Sequence, residues 1–277
     1  MLAIALALGA SLSWGFGDFL GGLKSRTVHV LTVLVVSQVV GMAGALTWVV
    51  LSGEGVPGWS ATLLAAAAGA SGCLGIATLY RGMAIGAMGI VAPVSAVAAV
   101  IPFGVGIASG ERPGALQIAG ILLALAGVAA ASREPAKRGG RRADGIGLAL
   151  LAALGFGLYF VFADRAAEAS VPYAVATARG VSLLLALVAA IAVGASLLPG
   201  RVHWPAVAAV GLCDVGANML FSLATTRGFL SVVSVLAALY PVATVVLAAV
   251  VLHERVSALQ RLGVAGALAG AALITAG

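Results

Sequence analysis

Four charged residues lie inside or at the edge of long apolar stretches of the sequence: Asp18, Arg81, Arg179 and Asp214. A charged side chain at the centre of a bilayer costs roughly 2.5–3.5 kcal/mol, so such residues usually face a cavity or a partner. A carboxylate in a cavity can hold a proton or an organic cation, and one excludes the other. Because two acids and two bases cancel, the alternative is that the four residues neutralise one another as buried pairs.

Asp18 is the strongest single candidate, because it is the only charged residue in the apolar run from Leu2 to Leu23. Trp14 precedes it by four residues, so the two side chains share one face of a helix. A carboxylate beside an indole ring suits a cationic or aromatic ligand. Ordinary packing is the alternative role for Trp14.

Asp214 and Asn218 form a second polar pair, again four residues apart and therefore on one helical face. Gly211 and Gly216 flank Asp214, which leaves space beside the two polar groups. The spacing predicts either the wall of a cavity or a hydrogen-bonded contact between helices.

Arg179 is a candidate for binding the carboxylate of a substrate through its forked guanidinium group. Alternatively, it neutralises Asp18 or Asp214. If Arg179 and an acid both stay free, a zwitterion such as an amino acid is the expected substrate; if they pair, an apolar or aromatic solute is favoured. Gln38 lies next to the position that corresponds to Arg179 in the first half of the chain, and it joins the candidate site.

Aromatic residues make up only 6% of the chain, and Tyr159 and Tyr240 lie within apolar stretches, so both are included in the candidate site. Pro93, Pro102 and Pro241 also lie inside apolar stretches. Proline removes a backbone donor and kinks a helix, so these three positions are predicted kinks.

The composition defines the class of protein that must position these residues. Hydrophobic residues make up 62% of the 277 residues and charged residues 9%, whereas soluble domains average about 25% charged residues. This balance predicts an all-α, multi-pass membrane protein, and the excess of basic residues is assigned to a membrane surface rather than to nucleic acid. No nucleophile–base set, metal-ligand spacing or phosphate-binding glycine loop occurs, so we expect neither an enzyme nor a bound metal or cofactor.

About 20 apolar residues make one membrane-spanning helix. On that basis ten spans are predicted, and short links rich in turn-forming residues join them. The predicted spans are 2–23, 30–51, 60–82, 88–108, 114–132, 145–164, 172–195, 204–225, 230–251 and 258–276.

The two halves of the chain resemble each other. The segment around Ile4 with Trp14-Gly15 recurs 142 residues later around Ile146 with Phe156-Gly157, and Gly110-Glu111-Arg112 recurs as His253-Glu254-Arg255. Five spans per half is an odd number, so the second half must enter the membrane in the opposite direction. We therefore expect a first repeat over 1–132, a basic loop over 133–144 and an inverted repeat over 145–277, with any substrate site at the repeat interface.

The order of several short motifs resembles that of the drug/metabolite transporter superfamily, specifically its ten-helix, EamA-like branch. The motifs are Trp14-Gly15, Tyr80-Arg81-Gly82-Met83-Ala84, Leu239-Tyr240-Pro241-Val242 and Glu254-Arg255. The resemblance implies transport of small organic solutes, often outward, with no single substrate. The acid in the first span is similar in position and type to that of the small four-helix multidrug relatives, which carry Glu rather than Asp.

From the residues and the resemblance together we expect a secondary transporter in the cytoplasmic membrane, exporting amino acids, other metabolites or drugs, with protons as a possible coupling ion. Import of a nutrient such as choline or a sugar is the alternative. A membrane-embedded enzyme or receptor is disfavoured because its residue set or soluble portion is not found. A monomer is expected, since both repeats belong to one chain.

Basic residues also predict an orientation, since they tend to remain on the cytoplasmic side. The loops after the odd-numbered spans hold eleven of them, and the other side holds three. The former are Lys24, Arg26, Arg81, Arg133, Lys137, Arg138, Arg141, Arg142, Arg201, Arg255 and Arg261; the latter are Arg112, Arg165 and Arg227. The charge count places both termini outside, whereas the family resemblance implies cytoplasmic termini.

Overall fold

The computed structural model describes residues 1–25, 27–84, 96–131, 142–198, 200, 202–253 and 257–277, and within these ranges the chain is helical and contains no strand. The described helices are α1 (Leu2–Ser25), α2 (Val30–Ser52), α3 (Trp59–Ala84), α4 (Val100–Ala108), α5 (Ala115–Ala131), α6 (Arg142–Ala167), α7 (Val171–Ala192), α8 (Trp204–Thr225), α9 (Leu230–Ala237), α10 (Tyr240–Val251) and α11 (Ala258–Ala276). A 3₁₀ turn, Ala96–Ala99, precedes α4.

Eight stretches among the described residues are long and apolar enough to cross a membrane. They lie in α1, α2, α3, α6, α7, α8, the combined run of α9 and α10, and α11. The shorter apolar helix α5 occupies the fifth predicted span, and only the second part of the predicted span 88–108 lies within the described residues. The prediction of an all-helical chain with many membrane-spanning helices is therefore confirmed.

Local sequence sets several of the helix ends. Ser257 and Gln260 form a capping box at the start of α11, each side chain accepting from the backbone N–H of the other residue. The Ser170 side chain accepts from the Tyr173 N–H at the start of α7. Gly53 ends α2 with a φ of 62°, a left-handed conformation that glycine adopts without steric cost.

One helix break and one change from 3₁₀ to α-helical geometry lie next to prolines. Pro241 has no N–H, so the carbonyl of Ala237 cannot accept the usual helical bond, and α9 ends at that residue before α10 begins at Tyr240. Pro102 lies in the first turn of α4, directly after the 3₁₀ turn. The third predicted kink, at Pro93, lies outside the described residues.

Glycines let the helices approach closely in antiparallel pairs. A Cβ atom on Gly155 of α6 would lie 2.6 Å from the backbone nitrogen of Gly75 in α3. A Cβ on Gly127 of α5 would lie 2.3 Å from the nitrogen of Ala267 in α11. Contacts this short exclude any larger residue, as is typical of helix packing in lipid. The resulting bundle places α1, α2, α3, α6, α7 and α8 around a common interior.

Candidate functional site

A cavity of about 150 Å³ lies in this interior. Its wall combines polar and aromatic side chains from α1, α2, α6, α7 and α8 with Gly72 and Ile76 of α3 and with residues of the 3₁₀ turn and of the break before α10. The polar wall consists of Asp18, Gln38, Arg179, Ser182, Asp214 and Asn218; the aromatic wall consists of Trp14, Phe156, Tyr159, Phe160 and Tyr240.

The cavity lies at mid-membrane depth. Trp14 and Asp214 are near the middle of α1 and α8, respectively. At 1.5 Å of rise per residue, each is roughly 15 Å from its helix ends, which is half of a hydrocarbon core about 30 Å thick. Every polar group here therefore needs a partner in the protein or a ligand in the cavity.

Arg179 is buried, with only 6% of its surface exposed, and its charge is neutralised by Asp214. Its Nη1 donates to the Gln38 Oε1 over 2.6 Å and also to the Asp214 Oδ2. The sequence left Asp18 and Asp214 open as partners of Arg179, and the structure selects Asp214. Through these two hydrogen bonds Arg179 links its own helix, α7, to α2 and α8.

The Asp214 carboxylate is satisfied by further donors. Its Oδ1 accepts from the Trp14 Nε1 and from the Asn218 Nδ2, each over 3.1 Å. The Tyr159 hydroxyl in turn donates to the Asn218 Oδ1. Three helices, α1, α7 and α8, thus meet at one partly buried carboxylate, and Asp214 is a structural centre of the cavity wall.

Asp18 differs from Asp214 in having no hydrogen-bond or ion-pair partner among the described residues. Its side chain lines the cavity and is exposed there. The negative charge of Asp214 acts on it repulsively. Among the described residues of this wall, Asp18 is therefore the carboxylate that is open to a ligand of opposite charge.

The aromatic wall is built around Trp14. Its ring centroid lies 6.5 Å from that of Tyr159 and 6.3 Å from that of Tyr240, both in edge-on geometry, and 5.9 Å from that of Phe160. Such spacings are typical of attractive aromatic pairs. The rings form a cluster on the wall of the cavity that Asp18 also lines.

All of the predicted site residues whose side chains the structure describes line this one cavity: Asp18, Trp14, Gln38, Tyr159, Arg179, Asp214, Asn218 and Tyr240. The side chain of Arg81, in the last turns of α3, lies outside the described part of the structure. No group of three or more His, Cys, Asp or Glu residues that could hold a metal ion occurs among the described residues.

Phe156, Phe160 and Ser182 also line the cavity, although their sequence positions were not predicted to belong to the site. Phe156, Tyr159, Phe160 and Ala163 follow the spacing of one helical face, so the inclusion of Tyr159 could have led to its neighbours. Ser182 follows Arg179 by three residues and could have been found in the same way.

Fold and site together define the class: a multi-pass α-helical membrane protein with a polar and aromatic cavity at mid-membrane depth. Residues 143–276 match the profile of the EamA-like transporter family. The fold is also similar to that of another protein known from a crystal structure, with a TM-score of 0.78 at 22% sequence identity. The match covers 99% of this chain and 96% of the other chain, so the resemblance of fold extends over both halves. A comparison with curated protein sequences gives no significant match.

The second half of the chain is thus similar to the EamA-like transporter family, which lies within the drug/metabolite transporter superfamily. The resemblance stated from the short motifs is thus confirmed. Members of this family are membrane transporters and not enzymes.

Proposed function

We propose that the protein is a secondary active transporter that moves small organic cations through this cavity, outward across the cytoplasmic membrane, in exchange for protons. The observation that carries the proposal is Asp18, a carboxylate that has no hydrogen-bond or ion-pair partner among the described residues and that lines the cavity together with aromatic side chains. Amino acids, other metabolites, drugs, choline and sugars are the solutes that the sequence left open, and this wall favours the cationic ones.

The charge of the cavity supports a cationic solute. Its charged lining residues, among those that the structure describes, are Asp18, Arg179 and Asp214. Since Arg179 and Asp214 neutralise each other, one negative charge is left over. A positive group beside Asp18 would share the cavity with the rings of Trp14 and Tyr159, and cation–π attraction to a ring face would add to the ionic contact.

The engagement of Arg179 argues against anions and zwitterions. A substrate carboxylate at this guanidinium would compete with Asp214 and Gln38, which both accept from Nη1. Displacing Asp214 would leave the buried Arg179 competing for two carboxylates and the partly buried Asp214 without its counter-ion, which is unfavourable. A neutral sugar would in turn leave Asp18 without a partner.

The Asp18 carboxylate also provides a way to exchange the cation for a proton. Asp18 can be neutralised at this depth by a bound cation or by a proton, and each excludes the other. A proton that enters from one side of the membrane then releases a cation that entered from the other. No phosphate-binding loop for ATP was found in the sequence, so an ion gradient is the proposed energy source.

Ten spans arranged as two inverted repeats, 1–132 and 145–277 around the loop 133–144, are part of the proposal. Paired contacts support it: a Cβ on Gly15 would lie 2.9 Å from the Tyr240 carbonyl oxygen, and a Cβ on Gly157 would lie 2.8 Å from the Ala98 carbonyl oxygen. A shift of 142 residues converts Gly15 into Gly157 and Ala98 into Tyr240, so the two contacts are equivalent.

The helices α5 and α11, which correspond under a similar shift, also support inversion because they pack antiparallel. Gly120 of α5 lies beside Ile274 of α11, whereas Gly127 lies beside Ala267. Rocking of two inverted halves about a central site provides alternating access. Because both halves contribute to one cavity, the working unit is proposed to be a monomer.

Transport into liposomes under an imposed pH gradient tests the proposal. The wild-type protein should accumulate a small quaternary ammonium ion against its gradient, and Asp18→Asn should abolish gradient-driven uptake while leaving the protein folded. Glu168→Gln is the matched control, because it removes a carboxylate from an exposed pair with Arg165 outside the cavity. Unchanged coupling in Asp18→Asn would disprove the role of Asp18.

A further inference from the structure

We propose that Arg179 sets the charge of the solute, limiting the cavity to ions with a single positive charge. The inference rests on the proposed function, since it assumes that the cavity binds organic cations. It assigns to Arg179 a role in selectivity rather than in contact with the substrate.

The geometry separates the two carboxylates of the cavity into different roles. Asp214 is bound by Arg179, by the Trp14 indole and by Asn218, whereas Asp18 has no such partner among the described residues. Arg179 itself is buried and tied to Gln38 on a third helix, so it is held against Asp214 rather than free to approach Asp18. One carboxylate therefore remains for a ligand.

Removal of the guanidinium would change the charge that the cavity offers. Asp214 would keep only its neutral donors, Trp14 and Asn218, and its charge would add to that of Asp18 on the same cavity wall. Two like charges in a low-dielectric space repel each other and attract a dication more strongly than a monocation. Arg179→Gln should thus shift preference towards doubly charged solutes.

If the ion pair between Arg179 and Asp214 had only a structural role, a different result would be expected. Arg179 joins α2, α7 and α8, so its loss should lower stability whatever the charge of the solute. Only a role in selectivity changes the ratio between the affinities for the two kinds of cation. That ratio is therefore the quantity to measure.

Calorimetric titration of the purified full-length protein in detergent would use two probes, phenyltrimethylammonium and its para-bis-trimethylammonium analogue. The wild type should bind the monocation more tightly, and Arg179→Gln should shift the affinity ratio by about tenfold or more towards the dication. The double variant Arg179→Gln/Asp214→Asn restores a single negative charge and should restore the wild-type preference.

Asp214→Asn alone provides an independent measurement that does not depend on the folding of Arg179→Gln. It leaves Arg179 without its counter-ion, so the described charges of the cavity cancel, and the affinity for the monocation should fall by about tenfold or more. Asparagine keeps the shape of the side chain and an oxygen that can accept from Trp14.

The outcomes separate the inference from the function on which it rests. If the wild type binds neither probe, both the proposed cation site and the role of Arg179 are wrong. If the wild type binds the monocation, but the ratio in folded Arg179→Gln and the affinity in Asp214→Asn stay within about twofold of wild type, only the role of Arg179 is wrong.

Discussion

Asp18 and Asp214 are the same residue type on the same cavity wall, yet their surroundings give them different roles. Asp214 accepts hydrogen bonds from Arg179, Trp14 and Asn218, so its negative charge contributes to holding helices together. Asp18 has none of these partners among the described residues and lines the cavity. The difference depends on which donors the fold brings to each carboxylate.

Tyr159 provides a test of the polar network at the residue scale. Its hydroxyl donates to the Asn218 Oδ1, while its ring packs against Trp14. Tyr159→Phe should lower the stability by about 1 kcal/mol, because a buried acceptor loses its donor, but should change cation affinity by less than about twofold, since the ring is kept.

Thermal melting and calorimetric titration in detergent measure the two effects of Tyr159→Phe separately. Tyr173→Phe is the matched control, because Tyr173 lies at the start of α7 and does not line the cavity. A large loss of cation affinity with unchanged melting would contradict the structural role of this hydroxyl.

At the scale of elements, α9 runs from its contact with Glu111 to the break at the cavity. Ala238 and Tyr240, at the break, line the cavity. The other end of α9 is held by Glu111, whose two carboxylate oxygens accept from the Leu230 N–H over 2.7 Å and the Ser231 N–H over 2.9 Å. The helix α9 is therefore held by hydrogen bonds at its start and ends beside the cavity wall.

A glycine makes room for the contact between Glu111 and the start of α9. A Cβ on Gly106 would lie 2.3 Å from the Glu111 Oε2, so only glycine leaves room for the carboxylate. A negative charge is also favourable at the positive end of the helix dipole. Glu111 therefore caps α9 through both hydrogen bonds and charge.

Glu111→Gln should lower the melting temperature by an amount equivalent to about 1–2 kcal/mol, because one acceptor and the charge are lost. Hydrogen exchange at the start of α9 should become faster at the same time. Glu168→Gln, which breaks only an exposed pair with Arg165, should have little effect. Equal changes in the two variants would show that Glu111 does not stabilise α9 specifically.

At the scale of the whole molecule, orientation in the membrane is the property on which two lines of inference disagree. The excess of basic residues in the loops after the odd-numbered predicted spans predicts that both termini lie outside the cell. The family resemblance predicts that both termini lie in the cytoplasm. Each helix of the fold has a defined direction relative to its neighbours, so a single label on one terminus decides the direction of every described span.

A cysteine appended after Gly277, in a protein whose Cys73 and Cys213 are replaced by alanine, tests the orientation. The charge count predicts that a membrane-impermeant thiol reagent labels this cysteine in intact cells. A cysteine at Gly139, in the basic central loop, is the matched control and should react only after permeabilisation. The reverse pattern would place both termini in the cytoplasm and contradict the charge count.

The sequence alone predicts the long helices better than the short ones. The bounds of long helices follow from runs of apolar residues: the predicted spans 30–51, 204–225 and 258–276 correspond closely to α2, α8 and α11. The break before Tyr240 corresponds to Pro241, because a missing backbone donor is a local property. The short α9 and the 3₁₀ turn before α4 were not predicted, since their limits depend on packing as well as on proline.

By itself the sequence determined the membrane class, the positions of most spans and the small group of polar residues worth attention, because a charge in an apolar run is costly and therefore conspicuous. Only the tertiary structure decided that Arg179 pairs with Asp214 and leaves Asp18 to the cavity. That choice depends on the rotation and depth of α1, α7 and α8 relative to one another. Contacts between distant segments set these quantities, and no single helix encodes them.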